Sequence, residues 1–296
     1  MSARVFVAGA TGVLGRRAVP ALGAAGYDVT ANVRDDAARH TVEAAGAQAT
    51  TIDLFDPRAV SEIGAAHDVV VNIATAIPSG ARALRSGAWA MNDRLRSAAA
   101  ANLAAAASTH GCRYVGESIT FPYVDSGEDW IGENVERTYF SGNASTVDAE
   151  SSAQSVTDSG GIGVVLRFAM FFADDSAHIG TYRSMATRGV FGVTGRLDAR
   201  ISFVHVDDAA AAVVAAVNAP PGTYNVAEPD PVTREAHSSA LASSVGRRKL
   251  RALPVSAVRL GGAGLDSVSR SNRISSTSLS SATGWKPAIR VVDRWG

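Results

Sequence analysis

Hydrophobic positions along the chain fall into short continuous runs, separated by longer stretches that repeat at helical spacing. Val5 to Val7 is apolar and mostly β-branched and reads as a buried strand, after which Leu14, Ala18, Leu22 and Ala25 recur along one helix face. The same alternation continues. Val29 to Val33 predicts a second strand, Ala47 to Ile52 a third, and Asp68 to Thr75 a fourth whose unbroken valines mark it as buried on both faces. Arg113 to Ser118 and Gly163 to Phe168 follow as the fifth and sixth, and Thr223 to Val226 closes the series after an apolar run at Ile201 to His205. Helices fill the intervals. Asp56-Pro57 supplies an N-cap with Pro at the first helical position, and an alanine-rich stretch runs from about Gly87 to His110. A helix begins at Ser145 or Thr146, with Asp148 and Glu150 in its first turns, and ends at Ser159. Asp207 and Asp208 are expected to cap an alanine-valine helix, and Thr233 one that reaches Val245. Strands alternating with helices predict the α/β class and a doubly wound parallel sheet. Residues 119–145 fit neither period, and an irregular stretch of that length in a compact domain is expected to be functional.

The turn after the first strand carries the candidate chemistry. It reads Gly9-Ala-Thr11-Gly12-Val13-Leu14-Gly15 and opens directly into a helix. Gly9 permits a tight turn, Gly12 lets backbone approach a pyrophosphate, and Gly15 lets helix and strand pack closely. A pyrophosphate then lies on the helix N-terminus, where free N–H groups and the helix dipole favour negative charge. This is the start of a Rossmann-type dinucleotide-binding unit. The tip of the second strand, Arg34-Asp35-Asp36, faces the adenosine ribose in such a unit. Arg34 suits a 2′-phosphate and favours NADP, with Arg16 a second cation, whereas Asp35 leaves NAD open. Asp53 and Leu54 fall where the edge and face of adenine lie, and Ala74, Thr75 and Ala76 border the phosphates and the nicotinamide ribose.

Composition narrows the picture. The 296 residues balance to zero net charge, which gives no reason to expect nucleic acid or a membrane surface as partner. Cys112 is the only cysteine, so no intrachain disulfide can form. No apolar run approaches a membrane span, and the first strand begins too early for a signal peptide, so a cytoplasmic protein acting on a small molecule is expected.

The chain resembles the extended short-chain dehydrogenase/reductases, the NAD(P)-dependent epimerase/dehydratase group, and especially their atypical members. The resemblance rests on the glycine turn, Asp53-Leu54, Asn72-Ile-Ala74-Thr75, Leu166-Arg-Phe168, Ser202-Phe-Val-His-Val-Asp-Asp-Ala209, Gly222-Thr-Tyr-Asn-Val226 and Gly284-Trp-Lys-Pro287. It implies a cofactor domain over residues 1–170, to which 201–226 return, and a smaller C-terminal substrate domain from 171–200 and 227–296. It also implies that Phe168 lies against the cofactor, and that two copies pair through the helices near 87–110 and 146–159. The group's chemistry uses a Tyr-x-x-x-Lys pair on one helix face, the lysine lowering the tyrosine pKa, with a serine on the fifth strand that binds the substrate oxygen. Ser118 fits the serine. The pair is missing: no tyrosine has a lysine four residues on, and the only lysines are Lys249 and Lys286. Alignment of the helix start puts Gly142 at the tyrosine position and Thr146 at the lysine position.

Substitutes by residue type are Tyr123, Tyr139 and His178, each of which equally suits a packing or surface role. His205 reads as a core histidine and Cys112 as a small core residue. The leading expectation is an NADP-dependent oxidoreductase or epimerase-type enzyme with a non-standard active site, acting on a small oxygenated metabolite. Two alternatives stand beside it: a non-catalytic NAD(P)-binding sensor, and a lyase or cyclase that uses the cofactor as scaffold.

Overall fold

The protein is described here by a computed structural model covering residues 2–78, 85, 87–193, 195–252 and 262–296. Position 194 and residues 253–261 of the expected substrate domain lie outside the described residues. Seven strands, β1 (Arg4–Ala8), β2 (Asp28–Asn32), β3 (Gln48–Thr50), β4 (Val69–Asn72), β5 (Arg113–Ile119), β6 (Gly163–Phe168) and β7 (Gly222–Val226), form one parallel sheet. Their order is β7-β6-β5-β4-β1-β2-β3, so the chain reverses direction across the sheet between β1 and β4. The expected doubly wound architecture is what the chain adopts.

The α-helices among the described residues, in chain order, are α1 (Gly15–Ala24), α2 (Asp36–Ala44), α3 (Pro57–Ala66), α4 (Ala90–Arg94), α5 (Ala100–His110), α6 (Thr146–Asp158), α7 (Ala177–Thr187), α8 (Val206–Ala216), α9 (Arg234–Ser244), α10 (Gly262–Ser269) and α11 (Thr277–Thr283). Alternate strand residues feed two cores. Val5, Val7, Val69, Val71, Val115, Val164 and Leu166 pack with α1 and α8, while Phe6, Ala8, Val70, Tyr114 and Val165 pack with α3, α5 and α6. A third apolar cluster lies in the C-terminal part, where Phe172, Phe203 and Trp295 meet edge-to-face and the Trp295 indole donates to His237 Nδ1 at 2.9 Å.

Two expectations need correction. The single helix from Gly87 to His110 is α4 and α5 joined by a five-residue π-helical turn, Leu95–Ala99. The wider turn carries Arg96 into the interior, where it forks onto Glu117 of β5 at 2.6 and 3.2 Å with both side chains buried. The cap of α8 is His205, whose Nδ1 accepts the Asp207 N–H at 3.3 Å, and not the aspartates. Asp208 is instead drawn to the C-terminal segment, accepting the backbone N–H groups of Ala288 and Ile289. Cys112 is a buried core residue that donates to the Gly64 and His67 carbonyls.

The irregular stretch after β5 is pinned to the C-terminal segment. Trp130–Ile131 pairs in parallel with Arg273–Ile274, and Ser126 N–H donates to the Ser271 carbonyl. Glu228, just past β7, fastens the third cluster: its two carboxylate oxygens accept the Phe203 and Val291 N–H groups at 3.0 and 2.9 Å.

Burial raises the Glu228 carboxyl from the ordinary 4.5 to about 7, although both N–H donors oppose the shift. A carboxyl whose folded pKa is raised loses stability as pH climbs from its unfolded value through its folded one, here from 4.5 to about 7. The wild type is therefore expected to lose up to roughly 3 kcal/mol over that interval, and Glu228→Gln to lack this slope. Denaturant unfolding at the two ends of the interval measures it; an equal slope in both proteins would remove Glu228 from the titration.

Candidate active site

The reversal between β1 and β4 opens a crevice at the carboxyl ends of the strands, the usual place for a ligand in an open α/β sheet. The glycine turn lines it. Gly9 has φ +89°, and a Cβ there would sit 2.5 Å from the Ile73 carbonyl oxygen at the end of β4. Gly15 touches the Gly9 and Ala10 backbone so closely that no side chain fits. Gly12 differs: its nearest neighbour is the Gly9 oxygen at 3.4 Å, so the space in front of it is open. Helix α1 behind the turn has no side-chain cap and no acid in its first turn. Its N-terminal dipole is thus left for an anion, and the residues present fit a pyrophosphate. Val13 and Leu14 form the approach to that helix end.

At the far tip of β2, Asp35 is committed as the N-cap of α2, accepting the Ala38 N–H at 2.8 Å. Asn32 is tied to Ile52 through both its amide atoms. Arg34 is exposed and, among the described residues, has no ion-pair partner, whereas Arg16 meets Asp175 at 3.3 Å. Asp53 caps a local turn by accepting the Phe55 N–H, Leu54 is buried, and the Arg94 guanidinium lies 3.6 Å over the Phe55 ring. Past β4, Asn72 Oδ1 accepts the Ala74 N–H and Asn92 Oδ1 the Ala76 N–H, which fixes the path through Thr75. Phe168 is buried at the end of β6.

The helix face that would carry an acid–base pair is chemically quiet. Gly142, Thr146 and Glu150 succeed one another at the four-residue spacing of one face. A Cβ on Gly142 would stand 2.6 Å from the Phe140 ring, so an apolar ring fills that position. Thr146 is buried and its hydroxyl donates to the Asn143 carbonyl at 2.6 Å. Glu150, expected in the first turns of the helix, is largely withdrawn from solvent, with its side chain 12% exposed. It accepts Ser118 Oγ at 2.7 Å, Arg137 Nη1 at 2.6 Å, and Arg167 Nε and Nη2 at 2.8 and 2.7 Å. Burial raises its pKa, but the Arg167 and Arg137 guanidiniums and the Ser118 hydroxyl outweigh that and hold it below the ordinary carboxylate range.

Each catalytic candidate has a definite place. Ser118 is fully buried at the end of β5, its hydrogen committed to Glu150. Tyr123 is fully buried, donating to Asn225 Oδ1 and accepting from Arg167 Nη1, both at 2.8 Å, and burial raises its phenol pKa. Tyr139 is 39% exposed beside Arg137, with its pKa also raised by desolvation. His178 bonds the Phe171 carbonyl at 2.7 Å, and burial lowers its pKa, which keeps the ring neutral near pH 7. The structure brings Ser118 and Tyr123 into one network through Arg167 and leaves His178 apart from it. Sequence reasoning overlooked Arg137 and the burial of Glu150, because the contact between them is tertiary and nothing local to either residue marks it.

A glycine turn on a free helix end at the reversal point of a doubly wound sheet defines a dinucleotide-binding protein of the Rossmann class. More narrowly, the chain belongs to the NAD dependent epimerase/dehydratase family, whose model matches residues 5–227. A 3-diazoavenalumate denitrifying reductase from a Streptomyces species is 33% identical over 306 residues, covering 96% of each chain. Among solved structures, the UDP-glucuronic acid 4-epimerase of Bacillus cereus in complex with UDP-glucuronic acid and NAD aligns at TM-score 0.77 and 16% identity, covering 99% of this chain and 96% of that one. The Bordetella bronchiseptica enzyme WbmG in complex with NAD and UDP aligns at 0.75 and 17%, covering 100% and 93%. The chain is therefore an enzyme of the short-chain dehydrogenase/reductase type that works with a nicotinamide dinucleotide. Among the described residues no helix is long and apolar enough to cross a membrane, and no group of His, Cys, Asp and Glu could hold a metal ion.

With Asp35 spent on a helix cap, a preference for NADP would rest on Arg34. Arg34→Ala is expected to weaken NADP binding about tenfold to hundredfold, the worth of a charge-assisted contact of roughly 1.5–3 kcal/mol, and to leave NAD binding unchanged. Titration of both nucleotides by fluorescence measures this; equal losses would assign Arg34 a purely structural role.

Proposed function

We propose that this enzyme is an NADPH-dependent reductase whose substrate is a small electrophile carrying its own leaving group, an arenediazonium or related diazo compound. The observation that carries the reading is the quiet segment at the start of α6: Gly142 under the Phe140 ring, Thr146 turned to the Asn143 carbonyl, and no tyrosine with a lysine four residues on. Oxidation of an alcohol or reduction of a ketone moves a proton at oxygen, and a tyrosine without a cationic neighbour keeps a pKa near about 10, a poor match to pH 7. Tyr123 and Tyr139 each have an arginine beside them, but burial outweighs it and holds both phenols above the ordinary value. A diazonium ion removes that demand. Hydride and the cation combine to give the arene and dinitrogen: a C–H bond forms, the C–N bond breaks, its electron pair leaves with N2, and no proton is taken up. The reductase relative, named for a denitrifying reduction of a diazo substrate, supports this choice over epimerisation.

In this reading the turn from Gly9 to Gly15 and the α1 N-terminus hold the pyrophosphate, Arg34 the 2′-phosphate, Asp53 and Leu54 the adenine, and Ala74 to Ala76 with Phe168 the nicotinamide end. Bound reduced nicotinamide supplies the hydride. Ser118 acts through Glu150, positioning the end of β5, and the aromatic cluster around Trp295 scaffolds the substrate-side lobe. A second copy of the chain is the expected partner, against the small-residue faces of α5 and α6.

The test is anaerobic turnover of 4-carboxybenzenediazonium with NADPH. One N2 is expected for each NADPH oxidised, with benzoate and not the phenol as product. Release of N2 without NADPH consumption would point to a lyase that keeps the cofactor as scaffold, and NADPH oxidation without N2 would overturn the diazo assignment.

A further inference from the structure

The network around Glu150 is short of negative charge. Arg137 and Arg167 both bond to this one carboxylate, and two guanidiniums held together in a part-buried site repel unless a second anion joins them. The neighbouring charges do not supply it. Glu133 turns its carboxylate to the Asn225 N–H and the Ser278 hydroxyl, and contributes only its backbone carbonyl to Arg167. Arg270, close by on Thr138, is matched by Asp266 at 2.9 Å. Arg167 has every nitrogen bonded, donating to Glu150, Tyr123 and the Glu133 carbonyl. Arg137 is not. Only its Nη1 is bonded, so among the described residues Nε and Nη2 meet no acceptor, and its side chain is 25% exposed.

The position of that free edge is well determined. The backbone of Arg137 is bridged to Tyr123, and Glu150 holds its guanidinium one carboxylate away from Ser118 at the end of β5. Beside it stands the Tyr139 ring, its centroid 5.6 Å from the Arg137 Cζ and its face partly exposed. A planar fork with two free donors next to an aromatic ring is suited to a carboxylate borne on an aryl group.

We propose that Arg137 anchors the carboxylate of an aromatic acid substrate, with the substrate ring lying beside Tyr139. The proposal rests on the reading above for the identity of the reacting end, but the anion site itself can be tested without turnover. Benzoate, the product, and methyl benzoate, its uncharged counterpart, are titrated by calorimetry into the protein saturated with NADP. The wild type is expected to bind benzoate about tenfold or more tightly than the ester, Arg137→Gln to lose that preference, and Arg137→Lys, which keeps the charge without the fork, to retain part of it. NADP affinity should be equal in all three, which shows that the crevice is intact. In turnover, Arg137→Gln should raise KM for 4-carboxybenzenediazonium with kcat held, and leave KM for its methyl ester unchanged. A wild type that does not distinguish benzoate from the ester, or an Arg137→Gln protein that distinguishes them equally well, overturns the proposal. Benzoate discrimination that depends on Arg137 in a protein that reduces neither diazonium would uphold the anchor and remove only the reductase reading.

Discussion

The carboxylate of Glu150 is the point on which the open end of the sheet depends. Its two oxygens take four donors from three elements: Ser118 on β5, Arg167 on β6 and Arg137 in the connection to α6. Arg167 passes the linkage on through Tyr123 to Asn225 on β7. A buried carboxylate is costly unless its lone pairs are filled, and here they are filled by two guanidiniums and a hydroxyl, so the charge is retained and the strand ends are locked in register. Removing Arg167 would strip Glu150 of two of its four donors, in a place where water cannot easily replace the lost bonds.

That network also explains what the site does not do. Ser118 and Tyr123 are the side chains whose types suggest acid–base work, and both have their hydrogens committed inside it. In the turn before α6 Phe140 covers Gly142, and at the first residue of α6 Thr146 bonds backward to Asn143. The half of the crevice that suits the dinucleotide keeps its glycines, its free helix end and an Arg34 that has no ion-pair partner among the described residues. Cofactor binding and proton transfer are physically separable tasks, and this chain retains the apparatus for the first while lacking the usual groups for the second.

Much of the fold was legible because it follows from local pattern. Valine runs and helical spacing fixed the strand–helix alternation, and Asp56-Pro57 and Thr233 cap their helices as their residue types require. What escaped was set by tertiary contact. The π turn at Leu95–Ala99 has no signature in an alanine-rich helix, since its consequence is the burial of Arg96 against Glu117, and nothing local marks either residue as buried. Glu150 looks like any acid near a helix start, and only Arg167 on the following strand and Arg137 in an irregular loop make it an interior charge. His205 displaced the aspartates as the cap of α8 because the C-terminal segment claims Asp208.

The central claim is that hydride leaves the bound cofactor without help from an acid or base of the protein. Single-turnover oxidation of bound NADPH by 4-carboxybenzenediazonium, followed by stopped-flow from about pH 6 to pH 8, tests it most directly. A reaction that takes up no proton predicts a rate constant that is flat across that range. A rate that changes about tenfold per pH unit on one side of a single pKa would reveal a titrating group in the chemical step and contradict it.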